Sequence, residues 1–101
     1  MRILLHVTIP HEPFNSYVRD GSAGEKLGAI IEEAQAEAVY FTEYGGVRTA
    51  VMVVNLDDAS DVPNFAEPWF LVFEADVEFH PAMTPEDLAA ANLDQLGARW
   101  G

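Results

Sequence analysis

Gly45-Gly46 separates two β-rich runs, Glu37 to Tyr44 and Val47 to Asn55, and this pair limits the available folds more than any other feature. A two-residue connection between such runs favours a tight hairpin, and glycine supplies the positive φ that its turn requires. The turn then sets the register. Thr42 falls opposite Thr49, Tyr40 opposite Val51 and Ala38 opposite Val53 on one face. Glu43 with Arg48, Phe41 with Ala50, and Val39 with Met52 share the other. Successive strand residues alternate faces, so this register also decides which side chains can meet.

Two further segments alternate in the same way. From Arg2 to Ile9 the residues Ile3, Leu5, Val7 and Ile9 form one face and Arg2, Leu4, His6 and Thr8 the other, with Pro10 and Pro13 ending the strand. From Phe73 to His80 the apolar Phe73, Ala75, Val77 and Phe79 alternate with Glu74, Asp76, Glu78 and His80, which predicts a strand over this whole stretch. Between the first strand and the hairpin, Leu27, Ile30, Ile31 and Ala34 recur at helical spacing. Gly21 interrupts an earlier turn holding Phe14, Tyr17 and Val18, and Ser22 with Glu25 has the form of a capping box that restarts the helix. Gly24 and Gly28 share a helical face and would permit close approach to a sheet. Asp57 to Ser60 opens a second helical segment that Pro63 and Pro68 keep short or broken. Thr84-Pro85-Glu86-Asp87 starts a C-terminal helix with the stripe Ala89, Leu93, Leu96 and Trp100.

The order is strand, helix, strand, strand, helix, strand, plus a C-terminal helix. This is the split βαβ, ferredoxin-like α+β plan, in which a four-stranded antiparallel sheet carries helices on one face. The chain of 101 residues makes one domain. The odd-numbered residues of the first and last strands are the more apolar set and are expected to face the helices. His6, Thr8, Tyr40, Thr42, Val51, Val53 and the acidic row then occupy the opposite face. Its mixture of polar groups and valines predicts a second copy closing over it.

Seventeen acidic residues against five basic ones, a net charge of −12, repel phosphate backbones and anionic bilayers, so neither nucleic acid nor membrane is an expected partner. No apolar run approaches the length of a bilayer span, and the start through Val7 is too short and too alternating for a signal peptide. A soluble cytoplasmic protein is the expectation. Without cysteine there are no disulfides, thiolate metal sites or cysteine nucleophile. Phosphate-binding glycine loops and serine nucleophile elbows are absent as well.

Both ends of the sheet carry a resemblance. Met1-Arg2-Ile3-Leu4-Leu5-His6-Val7 through Ile9-Pro10 is similar to the first strand of muconolactone isomerase, and Pro68-Trp69-Phe70-Leu71, followed by the alternating strand and His80-Pro81, resembles that family's end. The chain as a whole resembles a family of small bacterial proteins of unknown function that share a dimeric α+β-barrel plan. These resemblances imply a homodimer whose two sheets enclose a cavity for a small organic ligand. Families on this plan act on small, often cyclic or aromatic molecules, and some isomerise or oxidise them without cofactors.

The residues offer candidates for such chemistry. Histidine both takes and gives a proton near neutral pH, so His6 in mid-strand could serve as acid or base, with Glu78 or Tyr40 as helper. It could equally be a satisfied histidine at a subunit interface. Glu78 and His80, at i and i+2, share a face and with His6 form an acid–base group or imidazole–carboxylate ligands. A solvated outer strand, whose charges discourage edge pairing, gives the same pattern, and no metal is assigned. Trp69 and Phe70 could wall an apolar pocket near the sheet edge or serve as core or dimer contacts. Arg19 or Arg48 could hold a substrate carboxylate, although Arg48 could instead pair with Glu43 across the hairpin. His11 and Glu12 lie in the loop after the first strand without a metal-binding spacing. The leading reading is a cofactor-free, isomerase-like small-molecule-binding dimer. The alternative is a non-catalytic dimer for ligand sensing or an accessory role.

Overall fold

The structure, a computed structural model, describes all residues from Met1 to Gly101. Its four strands are β1 (Arg2–Ile9), β2 (Ala38–Tyr44), β3 (Val47–Asn55) and β4 (Asp76–Pro81). Its helices are α1 (His11–Asp20), α2 (Ala23–Ala34), α3 (Val62–Phe73), α4 (Pro85–Ala90) and α5 (Leu93–Trp100), with a 3-10 turn at Ala59–Asp61. The strands form one antiparallel sheet in the order β2-β3-β1-β4. That order and the helix positions are compatible with the ferredoxin-like plan. The β2–β3 register is the one the glycine pair dictates, from Ala38 opposite Val53 to Glu43 opposite Arg48, with Gly45 and Gly46 both at positive φ.

The core lies between the sheet and α1 to α3. Ile3, Leu5, Val7 and Ile9 of β1 and Ala50, Met52 and Val54 of β3 are buried there against Phe14, Ile30, Trp69 and Phe73. Phe73 sits among rings, with centroids 5.3 Å from Phe14, 5.8 Å from Trp69 and 5.9 Å from Tyr17. The odd-numbered residues of β1 and β4 face this core, as their alternation requires.

Several expectations change at element ends. The strand does not begin at Phe73. Helix α3 runs through Phe73, Glu74 takes a left-handed conformation (φ 54°) with its N–H donated back to Phe70, and β4 starts at Asp76. Phe73 and Ala75 are both buried, one as the last helical side chain and the other in the turn, so apolar alternation continues across two different structures. Nor do the prolines break α3. Pro63 lies in its first turn, where no hydrogen bond is lost, and Pro68 forfeits one bond inside it. Burying Ala66, Trp69 and Phe73 offsets that cost, because large apolar side chains each return roughly 1.5–3 kcal/mol on burial.

The helix does restart after Gly21, which closes α1 at φ 83°, but not through a Ser22 capping box. The Ser22 N–H instead donates to Asp20 Oδ1 at 2.8 Å, and its hydroxyl is buried without a partner. No atom approaches the faces of Gly24 and Gly28, so neither marks a close contact with the sheet. Within the range of α1, Glu12 is extended (φ −111°, ψ 141°), so His11 and Glu12 keep a kinked, loop-like entry and the regular helix follows them. The C-terminal segment is two helices, because Asn92 takes a left-handed conformation (φ 59°) that a short amide side chain tolerates. The capping box at its start does form: Thr84 Oγ1 accepts from the Asp87 N–H at 3.1 Å and Asp87 Oδ2 from the Thr84 N–H at 3.0 Å.

Such turns hold carboxylates below their usual range. Glu12 is held down first by the Ser16 hydroxyl at 2.7 Å, then by the Ser16 N–H and Arg19. Asp58 and Asp87 are held down by the N–H and hydroxyl groups of Ser60 and Thr84. A carboxyl lowered in the folded state stabilises it above the unfolded-state value and loses that contribution as pH falls through the lowered value. Ser16→Ala isolates one such case. The stability difference between wild type and Ser16→Ala is expected to be small, given Glu12's exposure, and to shrink on acidification through the Glu12 titration. Denaturant midpoints measured across that range check this; a gap that widened would contradict the assignment.

Candidate functional site

The helices cover one face of the sheet and leave the other open. Strand pairing sets the open face in cross-strand rows. The first is Ala38, Val53, Leu4 and His80; the second Tyr40, Val51, His6 and Glu78; the third Thr42, Thr49, Thr8 and Asp76. His6 therefore stands near the middle of this face, with Glu78 directly opposite it on the outer strand β4.

Three side chains group with His6: Glu78 and Tyr44 beside it, and His80 through Glu78. The His6 Nδ1 lies 4.0 Å from Glu78 Oε2, beyond hydrogen-bond range, and has no partner, although the atom itself is buried. Glu78 Oε1 meets His80 Nε2 at 3.0 Å. The third is Tyr44, whose ring stands edge-on to the imidazole with centroids 4.9 Å apart. Tyr44 pairs with Val47 and His6 with Val51, so the rings meet across β3 at the level of Thr49. Thr49 is only 1 % exposed although it lies on the open face, and it donates from Oγ1 to the Val47 carbonyl at 3.1 Å. The His6 side chain keeps 22 % exposure, enough for a ligand to reach it.

The other sequence candidates lie elsewhere. Tyr40 shares a row with His6, but β3 intervenes, which puts it about 10 Å away at the usual strand spacing; it is largely exposed. Tyr44 is the phenol beside His6. It follows Tyr40 by four positions, hence on the same face, and extending the register to the turn residues would have found it. Trp69 is fully buried in the helix–sheet core and walls no pocket, because α3 carries it inward beside Phe73. Arg48 projects from the helix-covered face. Its Nη1 donates to Asn15 Oδ1 at 2.7 Å and its guanidinium lies 4.5 Å from the Phe14 ring centroid. It forms no pair with Glu43, whose Oε2 accepts from the Gly46 N–H instead. Arg19 binds Glu12 at 3.1 Å.

The placement of the cations bears on the chemistry. Only Arg2 projects on the open face, at its margin, and it is engaged by Glu37 at 3.0 Å. Lys26 lies over Tyr17 and Arg99 over Trp100. No free guanidinium faces the His6 row, whereas Glu78 and Asp76 do. The open face thus offers a carboxylate no free guanidinium. The chain has two concavities, neither on the open face. One of about 520 Å³ lies among Ile30, Asn55, Asp57, Asp61 and Phe65, and one of about 410 Å³ between α4 and α5. Neither includes His6.

No protein-family model matches the chain, and no curated protein is significantly similar to it. No helix is long and apolar enough to cross a membrane.

Proposed function

We propose that the chain acts as a homodimer, a dimeric α+β barrel in which two open sheet faces close over a cavity that binds a small neutral cyclic molecule such as a lactone. The observation that carries this reading is His6, central on the uncovered face, reachable, and flanked by Tyr44 and by Glu78, which His80 engages. In the muconolactone isomerase-like form of the reading, His6 takes and returns a proton beside the ligand carbonyl without a cofactor. Glu78 shortens its contact with His6 on ligand binding and orients the ring, and Tyr44 packs its edge. Catalytic hydrogen bonds are often long before a ligand is present, and the 4.0 Å separation fits that pattern. The engagement of Glu78 by His80 favours a second reading, a non-catalytic ligand-sensing or accessory dimer in which His6 only packs.

The test is deuterium incorporation next to the carbonyl of neutral lactones in heavy water, followed by NMR, alongside a thermal-shift screen. The wild type should bind and exchange. His6→Ala should stay dimeric and exchange roughly 100-fold more slowly or worse, the usual worth of a general acid–base group. Binding without exchange selects the sensing reading. No stabilisation by any neutral cyclic compound contradicts the enzyme and ligand-sensing readings and leaves the accessory dimer.

A further inference from the structure

Residues 82–101 leave β4 where the Ala82 N–H donates to the Arg2 carbonyl at 3.0 Å, and beyond that point they form an arm. No residue of α4 or α5 is buried. Leu93, Leu96 and Trp100 stand at i, i+3 and i+7 on one face of α5 and are 55 %, 45 % and 76 % exposed. The chain is correspondingly long, 59 × 29 × 19 Å, with a radius of gyration of 16.9 Å. A compact domain of this length has a radius of about 13 Å. Helices of six and eight residues are far below the length at which isolated helices hold in water, about 12–15 residues, so this arm needs a surface to pack on. Its own body supplies none.

The open sheet face has the converse shortfall. Four strands at about 4.8 Å spacing and some seven residues of length give a footprint of about 450 Å². A stable interface covers roughly 800 Å² on each partner. The two unpartnered surfaces belong to one chain, and each lacks what the other offers. Charge limits where the two can meet. Two copies carrying −12 each repel, and the Leu93–Leu96–Trp100 stripe is an uncharged surface on which they can still meet.

We infer that the arm is exchanged between copies: residues 82–101 of one chain pack through Leu93, Leu96 and Trp100 onto the body of a second. The inference rests on the homodimer proposed above and adds the element that completes its interface. The arm stays free in the monomer and becomes ordered packing surface only on association.

Trp69→Phe leaves Trp100 as the sole tryptophan. Its shielding from iodide is measured against concentration, beside the mass from sedimentation. Arm exchange predicts a dimer, with Trp100 becoming shielded over the concentration range in which the dimer forms. Truncation after Ala82 should weaken that dimer at least about 100-fold, since one tryptophan and two leucines leave each contact. Sedimentation of the truncated chain reads this with Trp69 intact, should Trp69→Phe fail to fold. A dimer whose Trp100 stays quenchable, or whose affinity survives truncation, overturns the exchange and leaves the dimer standing. Trp100 shielded in the monomer shows the arm on its own body and also overturns it. A monomer at every concentration overturns the exchange and the dimer together.

Discussion

Val51→Asp is expected to yield a folded monomer. Val51 lies on the open face between Tyr40 and His6, in the row that a second copy would cover. In the isolated chain the new carboxylate stays near water and the core behind the sheet is untouched, because Ala50 and Met52 carry the packing there. Across a closed interface the same carboxylate is buried without a cation, as Arg48 lies on the far face and Arg2 is held by Glu37. An uncompensated buried charge costs on the order of 3–5 kcal/mol, so dimer affinity should fall by at least about 100-fold. Sedimentation velocity with circular dichroism checks both halves. A dimer of unchanged affinity would show that this face is not the interface.

Trp69→Ala should be the most destabilising single change in the core. Trp69 is fully buried between α3 and the sheet, against Phe73. Truncating a buried tryptophan costs about 3–5 kcal/mol through lost transfer energy and the cavity left behind. Small domains hold only about 5–15 kcal/mol in total, so the variant should sit near the edge of folding at 25 °C. Trp69→Phe should cost much less. It keeps a ring in place and removes an indole N–H that is buried without an acceptor. Denaturant titrations would rank the three proteins. Equal losses for the alanine and phenylalanine variants would mean that the indole N–H has a partner after all.

How far the sequence could be read depended on the kind of constraint at each position. A two-residue glycine turn leaves no slack, so the β2–β3 pairing from Ala38 to Glu43 was legible residue by residue. Alternation likewise placed His6 on the same face as Glu78 and the odd residues of β1 toward the helices. Alternation could not show where α3 ends, because the last buried helical residue, Phe73, has the parity of the strand that follows. Trp69 takes the core role rather than the pocket wall, and the break expected at Pro68 hides the helix that carries it inward. Asn92 split the C-terminal helix through a backbone conformation that no periodicity reports. Arg48 went astray because a long side chain on the correct face still chooses among partners, and Asn15 with the Phe14 ring competes better than Glu43 in the neighbouring strand.

In the proposed dimer the open face bearing His6, Glu78, His80 and Tyr44 is closed by a second copy around a ligand-sized space. A crystal structure of the protein with a stabilising lactone tests it most directly. Two sheets should stand face to face, with the ligand against His6 and each chain's Trp100 seated on its partner. Sheet faces open to solvent, or a ligand held only among Ile30, Asp61 and Phe65, would contradict it.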